Sequence, residues 1–298
     1  MRILFIFIDG LGIGKFDPTI NPFTDNKFKL FNNFSNYPRE TDIPVGGLCK
    51  AIDATLNSPG LPQSATGQTA LLTGVNAAQL LGKHLSGYPN QKLRELLEEK
   101  SLLGKFNTQG KKAAFINAYR PVYFKLGPEA LIKYLSVTSV ANWKAGLKFF
   151  SLEDIKAGQS IYHDFTNADL IDKGFEVPFF SAEKAGTILA NTSTSYDFCL
   201  YEYFKTDKAG HAQDMERAIT LLLQLELFVL TVVKNTDLKD TLIIVTSDHG
   251  NIEDLSIKTH TRNLVPLIVW GKNASRLIEQ VSAIQDVGRV LLKLAFEQ

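Results

Sequence analysis

Short apolar runs recur along the chain without the in–out alternation of half-exposed strands. They are ILFIFI at 3–8, AAFINA at 113–118, FCLYEYF at 198–204, LIIV at 242–245 and LVPLIVW at 264–270. Near-continuous runs of this length suit strands covered on both faces. Between them the apolar positions take helical spacing, over 66–82, over 90–103 with LRELLEEK, over 209–234 with LLLQLELFVLTVVK, and over 276–296. Strand–helix alternation predicts an α/β fold, a doubly wound and mostly parallel sheet with helices on both faces. From 120 to 180 the rhythm is lost and Pro, Gly and aromatic residues mix. This predicts a discontinuous core, 1–119 and 181–298, with a small cap or lid inserted at 120–180.

Composition changes this picture little but excludes several classes. The 298 residues are 45% hydrophobic, enough to bury a large core. A formal net charge of +1, without a long charge run, gives no case for nucleic acid or an anionic membrane as partner. The apolar run of MRILFIFIDG is too short for a signal peptide, and no stretch reaches the length of a transmembrane helix. Two cysteines, Cys49 and Cys199, suit a reducing compartment. A cytoplasmic protein without membrane attachment is expected; oligomeric state is left open.

The candidate chemistry lies where the strands end. Asp9 follows LFIFI, Asp207 follows LYEYFKT and Asp248 follows LIIVTS. One such acid is commonly an N-cap for the next helix. Three delivered to the edge where open α/β sheets bind ligands would repel one another unless a cation sat among them. Three of the five histidines lie close to these acids: His211 four residues after Asp207, His249 beside Asp248, and His260 just before the next strand. Such a set points to a centre of two divalent cations. Mixed imidazole and carboxylate donors suit Mn²⁺ or Zn²⁺ better than Ca²⁺, with Mg²⁺ for a secondary site.

A nucleophile candidate stands in LPQSATGQTALLTG at 61–74. Ser64 precedes a turn that opens a helix, where amide groups and the helix dipole favour an anion. A nearby divalent cation would lower the pKa of its hydroxyl. Helix capping is the simpler role for Ser64, and Thr66 is the competing nucleophile. His84 follows the helix that starts near Ser64 and is expected at its far end. His163 belongs to the 120–180 segment and reaches the site only if that segment folds over it.

Five stretches together resemble the alkaline phosphatase superfamily of metalloenzymes: IDGLG at 8–12, QSATGQTALLTG at 63–74, TDKAGH at 206–211, TSDHGN at 246–251 and HTRNLVPLIVW at 260–270. The last two look most like the branch containing phosphopentomutase and cofactor-independent phosphoglycerate mutase. The resemblance implies that Asp207, His211 and His260 hold one metal. Asp9, Asp248 and His249 would hold the other together with the Ser64 oxygen, the two cations standing about 4 Å apart. It also implies a small phosphorylated substrate and transient phosphorylation of Ser64.

Departures from the family temper this. The chain is shorter than those mutases, and 120–180 does not resemble their cap domains. No arginine cluster for gripping a phosphosugar is present; Arg120 is the lone arginine between 95 and 216 and a candidate bidentate clamp for a substrate anion. No Cys/Ser-x-Pro-x-Arg motif surrounds Ser64, which disfavours a sulfatase. The expected activity is therefore a phosphomonoesterase or phosphodiesterase. The alternatives are a phosphomutase and, from another class, a metal-binding regulatory protein without turnover.

Overall fold

A computed structural model describes residues 1–35 and 43–296. Its centre is a six-stranded sheet: β1 (Arg2–Ile8), β2 (Leu48–Ile52), β3 (Ala113–Phe115), β4 (Phe198–Tyr203), β5 (Thr241–Thr246) and β6 (Val265–Gly271). The spatial order is β2-β6-β5-β1-β4-β3. Strands β1, β3, β4 and β5 run parallel, while β6 is antiparallel to both β5 and β2. The protein is thus mixed α/β with a mostly parallel sheet, as its apolar runs predict.

Both faces of the sheet are packed. In β1, Ile3, Phe5 and Phe7 enter one apolar cluster and Leu4, Ile6 and Ile8 the other. The first face is covered by helices Ser64–Thr73, Gln91–Lys100 and Ile284–Phe296, the second by Ala182–Ser193 and Met215–Lys234. Cover on both sides is why these strands read as unbroken apolar runs, β6 included despite its antiparallel direction.

Several predicted elements are divided in the structure, each at a residue with a local reason. The 66–82 helix is two, Ser64–Thr73 and Ala77–Leu81, parted at Gly74 with φ +71°. The 209–234 helix starts earlier as Lys205–Ala212 and resumes as Met215–Lys234, where Asp214 accepts from the Arg217 N–H. The 276–296 span becomes Ala274–Gln280 and Ile284–Phe296. Gln91–Lys100 ends where Ser101 caps Leu102–Thr108. Strand β2 has no counterpart in the expected elements: Leu48 is exposed and only Ile52 is buried, so this edge strand carries no apolar run.

Residues 120–180 fold into short helices, among them Pro121–Leu126, Val137–Lys144 and Leu152–Lys156. They bury Val137, Val140 and Ala141 against one face of the sheet and Phe150, Ile161 and Phe165 against the other. Among the described residues no helix is long and apolar enough to cross a membrane.

Candidate metal centre

The topology delivers four chain segments to one edge. β1 ends at Ile8, placing Asp9; β5 ends at Thr246, placing Asp248 and His249. After β4, helix Lys205–Ala212 puts Asp207 and His211 one turn apart on the same face. Because β6 runs opposite to β5, the segment that leads into it, carrying His260, reaches the same edge. Two groups form there. The ligand-capable atoms of Asp207, His211 and His260 lie within 4.8 Å of one another, as do those of Asp9, Asp248 and His249. The His249 and His260 rings stack with centroids 3.7 Å apart, so the groups adjoin.

The imidazoles are all held in one way. Nδ1 of His260 lies 2.8 Å from the Pro62 carbonyl, Nδ1 of His211 lies 2.6 Å from that of Lys258, and Nδ1 of His249 lies 3.4 Å from that of Gly250. A carbonyl only accepts, so each Nδ1 carries the proton and each Nε2 of a neutral ring offers a lone pair. Those Nε2 atoms face carboxylates: His211 and His260 stand 3.3 and 3.4 Å from Asp207, and His249 stands 3.3 Å from Asp9 and 3.4 Å from Asp248. Lone pairs aimed at carboxylate oxygens repel unless a proton or a metal cation lies between them. Backbone-anchored Nδ1 with a free Nε2 is the arrangement of metal-bound histidine. Oδ1 of Asp9 is buried without a hydrogen-bond partner, an acceptor left for a cation.

Electrostatics agree. Burial, then the charges of Asp248, Asp207 and Glu202, raises the Asp9 pKa well above the usual carboxylate range. Burial holds His249 below the ordinary imidazole value despite the acids around it. Burial opposes ionisation of Asp207, yet the hydrogen bond with His260, the charge of His249 and the Asn251 amide together keep its carboxyl well below the usual range. Burial likewise opposes protonation of His260, and Asp207 with the Pro62 carbonyl overcomes it, so the His260 pKa is raised. Acids and imidazoles packed this closely fit a divalent cation in each group.

Ser64 is the first residue of helix Ser64–Thr73, with Gln63 in the cap position, so its hydroxyl is not the cap. The Ser64 Oγ lies 3.1 Å from His249 Nε2, beside the Asp9 and Asp248 carboxylates. Thr66 is fully buried and donates to the Gln63 carbonyl. Its Oγ1 is 3.3 Å from Nδ1 of His84, which therefore sits beside the start of this helix and not at its far end. The break at Gly74 turns the chain back and makes that contact. Gly67 lets the helix rest on Asp248: a Cβ there would lie 2.7 Å from the Asp248 carbonyl oxygen.

Several polar residues that no sequence motif marks also surround the site. Gln68 donates to the Asp248 carboxylate, and Asn251 donates to Asp207 from 2.6 Å. The buried Glu253 carboxylate accepts from the N–H groups of Gly12 and Asn251, from the Thr261 hydroxyl and from the Asn263 amide. It thereby ties together the loops that carry Asp9, His249 and His260. Glu202, within β4, is buried and accepts from Thr138; burial pushes its pKa up to about 7. A glutamate inside an otherwise apolar, aromatic run was the signal available for it. Arg120 and His163 lie apart from the two groups, on the wall of a cavity of about 520 Å³ that Glu202 and Lys208 also line.

The fold and this edge define an α/β protein built to gather acids and imidazoles. The metalloenzyme superfamily model matches residues 1–294, and the chain belongs to that family. It is 24% identical over 257 residues to a phosphopentomutase of Clostridium kluyveri, covering 80% of this chain and 61% of that one. It is 32% identical over 109 residues to a 2,3-bisphosphoglycerate-independent phosphoglycerate mutase of Thiobacillus denitrificans, covering 34% of this chain and 21% of the mutase. The chain spans less than two thirds of the length of these curated relatives. Among solved structures, the alkaline phosphatase of the Antarctic bacterium TAB5 superposes with a TM-score of 0.56 at 14% identity, covering 99% of this chain and 98% of that one. At that identity the likeness concerns the fold.

Proposed function

We propose that the protein is a two-metal phosphoryl-transfer enzyme, a phosphomonoesterase or phosphodiesterase with Ser64 as nucleophile. The observation carrying this reading is that three imidazoles, each anchored through Nδ1 to a backbone carbonyl, turn Nε2 toward three carboxylates beside one serine hydroxyl. Asp207, His211 and His260 would hold one cation; Asp9, Asp248, His249 and the Ser64 oxygen would hold the other. The donor set suits Mn²⁺ or Zn²⁺, with Mg²⁺ at a secondary site. Bound there, the cations supply Lewis acidity, lowering the pKa of the hydroxyl and offsetting phosphoryl charge.

The chain's own residues do the rest. Ser64 gives up its hydroxyl proton to solvent, and its Oγ forms the new bond to phosphorus as the ester oxygen leaves with its electron pair and takes a proton from solvent. Amide groups at the start of the Ser64 helix favour the phosphoryl oxygens. Water then cleaves the phosphoserine. Residues 120–180 act as a cap over the adjoining cavity, with Arg120 placed to meet a substrate anion. The names of the mutase relatives support the phosphomutase alternative equally, in which the Ser64 phosphoryl group returns to the same substrate.

The test is hydrolysis of 4-nitrophenyl phosphate by protein supplied with Mn²⁺ or Zn²⁺, together with a sugar-phosphate panel followed by NMR for isomerisation. Ser64→Ala should lose about a thousandfold or more in kcat with its metal content unchanged. Full activity in that variant would shift the nucleophile to Thr66 or remove the covalent step. Metal binding without turnover of any ester would leave the regulatory reading.

A further inference from the structure

The cavity beside the metal groups is not needed to explain phosphoryl transfer itself. It continues the same sheet edge beyond β4 and β3: Asn117 and Glu202 lie on its wall, each Asn117 amide atom pairing with the Glu202 backbone, and Lys208 follows Asp207 in its helix. Glu202 pairs with Phe7 in the sheet, two residues before Asp9, and the Asp9 N–H donates to the Tyr203 carbonyl from 2.9 Å, so the cavity wall adjoins the metal groups. An ester with its phosphoryl group at the cations would therefore have its alcohol portion in this space.

The walls are aromatic. Tyr119 and Tyr123 pack with ring planes tilted 46° and centroids 4.5 Å apart, backed by Phe149. On another side His163 lies against Phe204 at 4.2 Å and Tyr162 at 4.0 Å. Tyr88 and Tyr134, both exposed and in edge contact, also line it together with exposed Val122. Two polar atoms in the lining are buried without a protein partner, the Tyr123 hydroxyl and Nδ1 of His163. Burial drives the His163 pKa down to about 3, so that ring is neutral at pH 7. Arg120, Lys173 and Lys208 outnumber the Asp169 and Glu202 carboxyls in the lining, a balance that favours an anionic ester over the free alcohol.

A site built for a sugar would meet its hydroxyls with many paired polar groups. Here most polar side chains of the lining are already paired within the protein, Asn117 with the Glu202 backbone, Tyr119 and Ser136 with Ser139, Glu202 with Thr138 and Asp169 with Lys205, so the rings are what the wall has left to offer a flat body. We infer that the alcohol portion of the substrate carries a planar aromatic ring, held in the cavity lined by Tyr119, Tyr123, Tyr162 and Phe204. This rests on the phosphoryl-transfer reading and specifies its substrate class.

The experiment compares 2-phenylethyl phosphate with ethyl phosphate, whose leaving alcohols have similar acidity, so that a rate difference reports the ring and not leaving-group chemistry. The metal-supplied enzyme should prefer the phenylethyl ester by at least about tenfold in kcat/KM, from burial of the ring. Val122→Trp, at an exposed position that tolerates substitution, should fill the mouth and bring the ratio near one; Tyr123→Ala should lower it as well. Equal turnover of both esters overturns the cavity assignment and leaves phosphoryl transfer standing. A preference that survives both substitutions also overturns it, because the ring then binds elsewhere. If no ester is turned over, the phosphoryl-transfer reading fails, and the cavity is judged by saturation-transfer NMR with 2-phenylethanol. Binding lost in Val122→Trp supports an aromatic site, and absence of binding to the wild type removes it.

Discussion

Glu253 has no place among the candidate ligands, yet its carboxylate joins three of the loops that carry them. Four donors converge on one buried group, and removing it would leave them unpaired. Glu253→Ala should therefore cost at least about 3 kcal/mol, and Glu253→Gln, which keeps one acceptor oxygen, should cost less. Thermal melts of both variants check this, with Mn²⁺ titrations expected to show weakened binding in each. Glu202 offers a test by pH. Its folded pKa of about 7 lies above the ordinary 4.5, so its stabilising protonated form is complete below pH 4.5 and is lost as pH rises through 7. Relative to metal-free wild type, metal-free Glu202→Gln should gain stability between pH 5 and pH 8, by about 3 kcal/mol. Parallel melting curves for the two proteins across that range would refute it. At this scale Asp9, Asp207 and Asp248 were legible as acids closing apolar runs, and the histidines through their nearness to those acids or to the next strand, His249 directly beside Asp248 and His211 one helical turn from Asp207. Glu253 was not, since its partners come from separate loops. Nor was the contact of His84 with Thr66, which depends on a turn at Gly74.

The helix that begins with Ser64 is positioned by close backbone approach more than by its apolar face. Residues Ala65 to Thr73 are all buried, and the helix contacts both the sheet-end loop at Asp248 and helix Ile284–Phe296. Gly67→Ala places a Cβ 2.7 Å from a backbone oxygen and 2.9 Å from the Asp248 Cβ, neither of which can swing away as a flexible side chain would. The helix or the β5 loop must shift, at about 1–3 kcal/mol. A displacement near 1 Å between Ser64 and its neighbours should lower turnover about a hundredfold. Melting and kcat measured together separate the two effects; a stable variant with wild-type kcat would mean the helix does not fix the hydroxyl. Strands were the most legible elements, since cover on both faces writes itself as continuous apolar sequence. Edge strand β2 and the helix boundaries were not, because exposure removes the apolar signal in one case and single residues such as Gly74 and Asp214 decide the other.

Across the whole molecule, the two groups draw side chains from positions 9 to 260, and these meet only when the sheet is formed. The unfolded chain keeps no such site, so cation binding adds directly to folding stability. At a free concentration a hundredfold above Kd, one cation should contribute about 2.7 kcal/mol, a rise of roughly 4 °C in Tm for a chain of this size. Mn²⁺ should therefore raise Tm and a chelator should reverse the rise. The imidazoles must be neutral at Nε2 to bind, so acidification weakens binding and the metal-dependent part of Tm should shrink as pH falls. Asp248→Asn should lose one metal equivalent by elemental analysis and keep the other, because Asp207, His211 and His260 belong to a separate group. An unchanged metal count in Asp248→Asn would break the link between this sheet edge and the cation, and with it the reason for three carboxylates and three imidazoles to share so little space.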